Sequence, residues 1–336
     1  MQNNIISSKS ERNQSIDLVK IIAMFMVLLL HTGVVREYCG YTTVLETYFI
    51  GGIAIPLFFM TSGYLMVNKD SSIKYRIRKV AGILLFVFLT CLIWTLWDTL
   101  RGRTTDFISA LSHIYILSFF QIGPFFVFWY FGAMILIYAV LPIIQRIIYG
   151  KYFLISLVSL LCLCTIICTL NVKFLFEKKY VIQTFRIWYW IFYFMLGAYV
   201  RLNQRKFGKI GGGWQVFLAC IVFVFFGRFV SGGGIEYLFG SIPCVIYALL
   251  TFSSCINFKV QNSLVIKNLS QCFLPVYAWH MFVLDKLFKY LPVNLIEASL
   301  PPILAISLEF IFAAAIIVSL SLILIRIPFI NKLFRI

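Results

Sequence analysis

Long, unbroken apolar runs limit the fold of this chain more than any other feature. Ten of them lie at 16–35, 48–67, 80–100, 125–141, 152–170, 182–200, 214–229, 235–252, 269–287 and 302–325. Each is close to the ~20 residues that an α-helix needs to cross a bilayer. The runs are continuous instead of alternating with period two, which indicates helices and not the strands of an outer-membrane barrel. Composition agrees: 62% of the 336 residues are hydrophobic and 12% are charged, whereas soluble domains carry about 45–50% and about 25%. The expected fold class is an all-α integral membrane protein, a bundle of about ten transmembrane helices. A further stretch, Ile114–Phe120, reads as a re-entrant or interfacial piece before the fourth run.

The net charge of +17 resembles a nucleic-acid signature, but its distribution does not. With the N-terminus inside, 19 of the 29 lysines and arginines fall in inside segments, against Glu11, Asp17 and Asp70 among the acids. This is the positive-inside pattern. It predicts cytoplasmic termini, a bilayer as partner and no nucleic acid. The expected organisation is a tail over residues 1–15, one membrane domain over 16–326 and a tail over 327–336. The first run lacks a small-residue cleavage site and reads as a retained helix. No repeat and no separate soluble domain is evident. Most of the nine cysteines, including Cys162, Cys164, Cys168, Cys220 and Cys272, sit inside apolar runs. They read as small buried hydrophobes, and no metal-ligating spacing is present.

Ionisable side chains inside a membrane are costly, so each is a functional candidate. The first run holds Asp17, Lys20 and His31. At about 100° per residue, Lys20 and His31 fall about 20° apart around the helix and about 16 Å apart along it. Asp17 and Lys20 can pair as i,i+3 neighbours near the inner face. His31 lies deep, where a neutral imidazole can accept a proton near neutral pH or be held structurally by the bundle. The second run ends in Phe58-Phe59-Met60-Thr61-Ser62-Gly63-Tyr64-Leu65, where Ser62-Gly63 permits a close backbone approach or a break. Lys74-Tyr75-Arg76-Ile77-Arg78-Lys79 follows, either a topology signal or a phosphate grip at the inner mouth. Near the far end, Tyr277 and His280 share a face, and Pro275 is expected to kink the helix. Arg186 and Glu309 are further candidates for buried charge.

In this order the motifs resemble the acyltransferase-3 family of integral-membrane acyltransferases. The family opens with an Asp, a basic residue three on and a His eleven after that, matched by Asp17, Lys20 and His31, with Lys where Arg is usual. Phe58, Phe59, Ser62, Gly63, Tyr64 and Leu65 match a second stretch. Arg76 and Lys79 match a basic pair at the start of the third span. Trp129-Tyr130 matches an aromatic pair at the fourth span, preceded here by Val127-Phe128 where a His is common. Ser270, Cys272, Phe273, Tyr277 and His280 match a late motif. The resemblance covers roughly residues 12 to 326.

Membership implies transfer of an acyl group, usually acetyl, from cytoplasmic acyl-coenzyme A to a hydroxyl of a surface polysaccharide or lipid-linked sugar. It also implies a multi-pass protein of the inner (plasma) membrane. On this reading His31 and Asp17 are catalytic, and Lys20, Arg76, Arg78 and Lys79 hold the acetyl-CoA phosphates. Tyr64, Trp129, Tyr277, His280 and Arg186 contact substrate, and no metal is expected. His31 would either deprotonate the acceptor or carry the acyl group itself; direct transfer is preferred. Two other classes remain: a secondary transporter using the intramembrane Asp, Lys, His and Glu as a proton relay, and an inactive subunit of a glycan-assembly complex. Against the transporter, paired broken helices in repeated halves are not evident.

Overall fold

Each of the ten apolar runs carries helix in the computed structural model, which describes residues 13–38, 45–174, 181–230, 234–258, 263–290, 296 and 299–327. Among these residues there is no strand. The helices are α1 Gln14–Tyr38, α2 Leu45–Gly51, α3 Ala54–Met66, α4 Ile73–Leu100, α5 Phe107–Ser118, α6 Trp129–Ile148 and α7 Phe153–Phe174. They continue as α8 Ile187–Leu202, α9 Gln204–Phe207, α10 Gly213–Val230, α11 Ile242–Asn257, α12 Leu264–Gln271, α13 Phe273–Tyr290 and α14 Pro302–Leu324. Seven helical stretches are long and apolar enough to cross a membrane: α1, Glu46–Met66, α4, Phe126–Ile148, α7, α10 and α14. The chain is therefore a multi-pass, all-helical membrane protein. Lys9, Glu11, Arg12, Lys259, Lys332 and Arg335, which enter the charge asymmetry, lie outside the described residues.

Three local features depart from the simplest reading of the runs. The second run is two helices, broken at Gly51-Gly52, where Cβ atoms would overlap Ile235 and press on the α1 backbone at Met26 and Leu30. The third begins seven residues early, so the basic stretch Lys74–Lys79 is helical. Asp70 accepts from the Ser72 backbone and hydroxyl at 2.8 and 2.5 Å; the hydroxyl bond, and then the backbone one, hold its carboxyl below its usual range. Ser72 in turn accepts the Tyr75 N–H and caps α4. The expected kink at Pro275 is not present as such. The helix stops at Cys272 and restarts, placing Pro275 in the first turn of α13. A first-turn N–H has no intrahelical partner, so its absence there is harmless.

The buried centre is α3 crossing α8, with α1, α6, α11 and α13 around it. Lipid gives little hydrophobic drive for helix association, so close backbone packing must supply it. Gly63 and Gly197 provide that approach. A Cβ on Gly63 would overlap the Phe194 carbonyl, and one on Gly197 would overlap the Met60 carbonyl. The close approach expected at Ser62-Gly63 is thus present, and the break is not. Gly63→Val should cost about 1–3 kcal/mol or more through overpacking, read as a lowered thermal midpoint in detergent. Gly213→Ala, where nothing lies within 4 Å, should leave the midpoint in place.

Candidate active site

A cavity of about 1040 Å³ opens at the end of the bundle where α1 begins. It is walled by the first turns of α1, the last turns of α3, the start of α4, the first half of α6, the end of α8 and the α12–α13 junction. Five cations, Lys20, Lys69, Lys79, Arg201 and Lys267, share this wall with one carboxylate, Asp17. Asp17 is buried and lies 3.9 Å from Lys20 Nζ. Arg201 donates to the Tyr64 hydroxyl at 2.9 Å and stands 4.9 Å from its ring centre. The result is a strongly positive mouth suited to a polyanion.

Deeper, the wall turns aromatic and hydroxylic: Phe58, Thr61, Ser62, Tyr130, Phe131, Tyr138 and Phe273. Ser62 Oγ and the Tyr130 hydroxyl are 3.5 Å apart. Phe58, Tyr130, Phe131 and Phe273 all contact the ring of Tyr277 at 5.6–6.1 Å between centroids. Tyr277 is buried and donates to the Val127 carbonyl. Its ring is in turn 6.0 Å from that of His280. The ring of His280 is 4.8 Å from that of His31, which also stands 6.0 Å from Phe126. An aromatic layer centred on Tyr277 thus stands between the cavity and a pair of histidines.

The structure gathers some of the sequence candidates and separates others. Asp17, Lys20, Tyr64 and Lys79 line the cavity; His31, Tyr277 and His280 form the group beyond it. Arg76 is turned onto α6. Pro142 lacks an N–H for the Tyr138 carbonyl, and Arg76 Nη1 donates to the carbonyls of Ala139 at 3.1 Å and Tyr138 at 3.5 Å, while its Nε bonds Ser71. Arg78 is exposed and 6.0 Å from the Tyr75 ring. Trp129 is buried against Trp190 at 4.9 Å, and its neighbour Tyr130 reaches the cavity instead. Arg186 lies at the start of α8, at the other end from the cavity, over the Tyr237 ring and bonded to the Val181 carbonyl. Glu309 pairs with Arg36 at 2.5 Å, both fully buried. Lys69, Arg201 and Lys267 carry the same positive-inside signal as a topology charge, so sequence distinguished them from other loop cations by nothing.

A family described as an acyltransferase domain matches residues 13–326. A protein named probable poly-beta-1,6-N-acetyl-D-glucosamine export protein, from Staphylococcus epidermidis, is 28% identical over 142 residues, 40% of this chain and 39% of the relative. Proteins of the same name from Staphylococcus aureus strains MSSA476 and N315 match with the same identity and coverage. The match spans 39% of the length of these relatives. No solved structure matches.

Proposed function

The chain belongs to the acyltransferase-3 family, and on that premise we propose that it moves an acyl group, acetyl in the first instance, from cytoplasmic acyl-coenzyme A to a hydroxyl of a surface polysaccharide or its lipid-linked precursor. The observation that carries this reading is the cavity with five cations at its mouth and a histidine pair beyond its aromatic floor. Coenzyme A has matching anatomy: a phosphate-rich head, a long flexible arm and a reactive thioester at the tip. Lys20, Lys79, Arg201, Lys69 and Lys267 would take the phosphates, and the aromatic and hydroxyl wall would take the arm. The thioester reaches His31 when the layer at Tyr277 and Phe58 parts. His31 then accepts the acceptor's hydroxyl proton as the oxygen bonds to the acyl carbon. The C–S bond breaks, and coenzyme A leaves as the thiol once its sulfur takes a proton.

The basic end of the bundle is assigned to the cytoplasm, with ten crossings. Single cysteines at Lys74 or Arg205 should resist an impermeant thiol reagent added outside, and one at Glu46 should react. Outside labelling at Arg205 would overturn this topology.

The cation assignments make a separate expectation. Charge-assisted contacts contribute about 1.5–3 kcal/mol each, so Lys79→Ala and Arg201→Ala should each weaken coenzyme A binding roughly tenfold or more. Arg76→Ala should lower the thermal midpoint more than the affinity, because Arg76 serves the carbonyls at Pro142. Unchanged affinity in both cavity variants would remove the donor from this cavity.

The name of these Staphylococcus relatives favours a second reading, glycan export. Liposomes carrying the purified protein distinguish the two. Export predicts passage of β-1,6-linked N-acetylglucosamine oligomers without acyl-coenzyme A; transfer predicts ester formation that requires it.

A further inference from the structure

The chain contains three histidines. His113 is exposed on α5, and the other two stand ring to ring, 4.8 Å apart with their planes 46° from parallel. His280 Nδ1 lies 2.8 Å from the Tyr277 carbonyl oxygen and 3.2 Å from that of Val276. A carbonyl can only accept, so Nδ1 carries the proton and Nε2 keeps the lone pair. That Nε2 is sealed from solvent and has no hydrogen-bond partner among the described residues; the same is true of His31 Nδ1. Two orphaned ring nitrogens therefore belong to neighbouring rings, and one of them is an acceptor. An ordinary N–H···N bond between imidazoles edge to edge sets their centroids roughly 5 Å apart. The ring centroids are already near that separation, and the two nitrogens are not hydrogen-bonded in the structure. Each imidazole turns about χ2, a soft torsion.

We propose that His280 is a positioning residue for His31: its Nε2 accepts the Nδ1–H of His31. The lone pair of His31 is then held on Nε2, ready for the acceptor's hydroxyl proton or the acyl carbon. The helix carbonyls of Val276 and Tyr277 set the tautomer of His280, and His280 sets that of His31, much as outer hydrogen bonds orient a working imidazole elsewhere. No proton leaves the chain of bonds, and His280 stays neutral. The catalytic part of this inference rests on the reading of His31 given above; the pairing itself does not.

The test is ¹⁵N NMR of the full-length protein labelled at histidine, in lipid nanodiscs, with His113→Asn leaving two histidines in view. Protonated and bare ring nitrogens have well-separated shifts. Both His31 and His280 should appear in the Nδ1–H form. His280→Leu should shift His31 toward the Nε2–H form, and His280→Gln, whose side-chain oxygen accepts, should return it. In turnover, His280→Leu should lower kcat about 10–100-fold with KM little changed, and Gln should restore part of it. His31 in the Nε2–H form in the otherwise unaltered protein would overturn the pairing, as would a His31 spectrum indifferent to His280→Leu. If the Leu variant does not fold, the parent and Gln spectra carry the decision. Correct tautomers in a protein that transfers no acyl group would count against acyl transfer and leave the pairing standing.

Discussion

His31→Gln should abolish acyl transfer while the protein inserts, purifies and melts near its usual temperature. A general base typically contributes about 10²–10⁴-fold; a residual rate within a few-fold of the parent would deny His31 that role. Glutamine matches the imidazole roughly in size and retains hydrogen-bonding capacity, but it cannot accept a proton near neutral pH. His31 sits beyond the aromatic floor of the cavity, beside His280 and Phe126, and is half-buried, with no hydrogen-bond partner for its Nδ1 among the described residues. A structural histidine in the bundle would be expected to bond both nitrogens to neighbours, because an unmade buried bond is costly. Loss of folding on substitution would support a packing role instead. Single-turnover measurement with labelled acetyl-coenzyme A, read against coenzyme A binding, separates lost chemistry from lost donor affinity.

Glu309→Ala should be the most damaging substitution outside the active site. Arg36 Nη1 contacts both Glu309 oxygens at 2.5 Å, and neither side chain has measurable exposure. Removing one partner of a buried ion pair typically costs about 3–5 kcal/mol. Arg36→Met with Glu309→Leu should be far milder than the sum of the single variants, since the double change removes both charges and keeps the volume. Thermal unfolding of the four proteins in one detergent gives the coupling directly. The pair ties the far half of α1 to α14, five residues beyond His31 along α1, so the single variants should also lower transfer. Additive single and double effects would show that the two charges do not depend on each other.

Much of the helical content was legible because bilayer crossing demands long apolar runs, and nothing else in the chain competes with that signal. The interruptions were not. The break at Gly51-Gly52 follows from contacts with Ile235, Met26 and Leu30, which are remote in sequence or on another helix. The restart at Cys272 shows as a helix boundary rather than the expected bend at Pro275. The early start of α4 rests on the Asp70–Ser72 cap, a local signal that the basic stretch obscured. In the site, Asp17, Lys20 and His31 could be placed on one stripe by helical period. Arg201 and Lys267 join Lys20 only in three dimensions, after the chain has returned to the same end of the bundle. A basic pair three apart, such as Arg76 and Lys79, looks the same in sequence whether it faces a phosphate or, as here for Arg76, the carbonyls of Ala139 and Tyr138, the latter left without its helical N–H by Pro142. His31 and His280, 249 positions apart, carry no periodic link at all; their contact is a product of α1 packing on α13.

Acyl transfer itself is tested most directly by the fate of the thioester. Purified protein in liposomes is supplied with acetyl-coenzyme A and a panel of oligosaccharides that includes β-1,6-linked N-acetylglucosamine oligomers, and free thiol is followed against time. Acyl transfer predicts thiol release that depends on a hydroxyl-bearing acceptor and equals the ester formed on it. Thiol release no faster than in protein-free liposomes, with every acceptor in the panel, would contradict it.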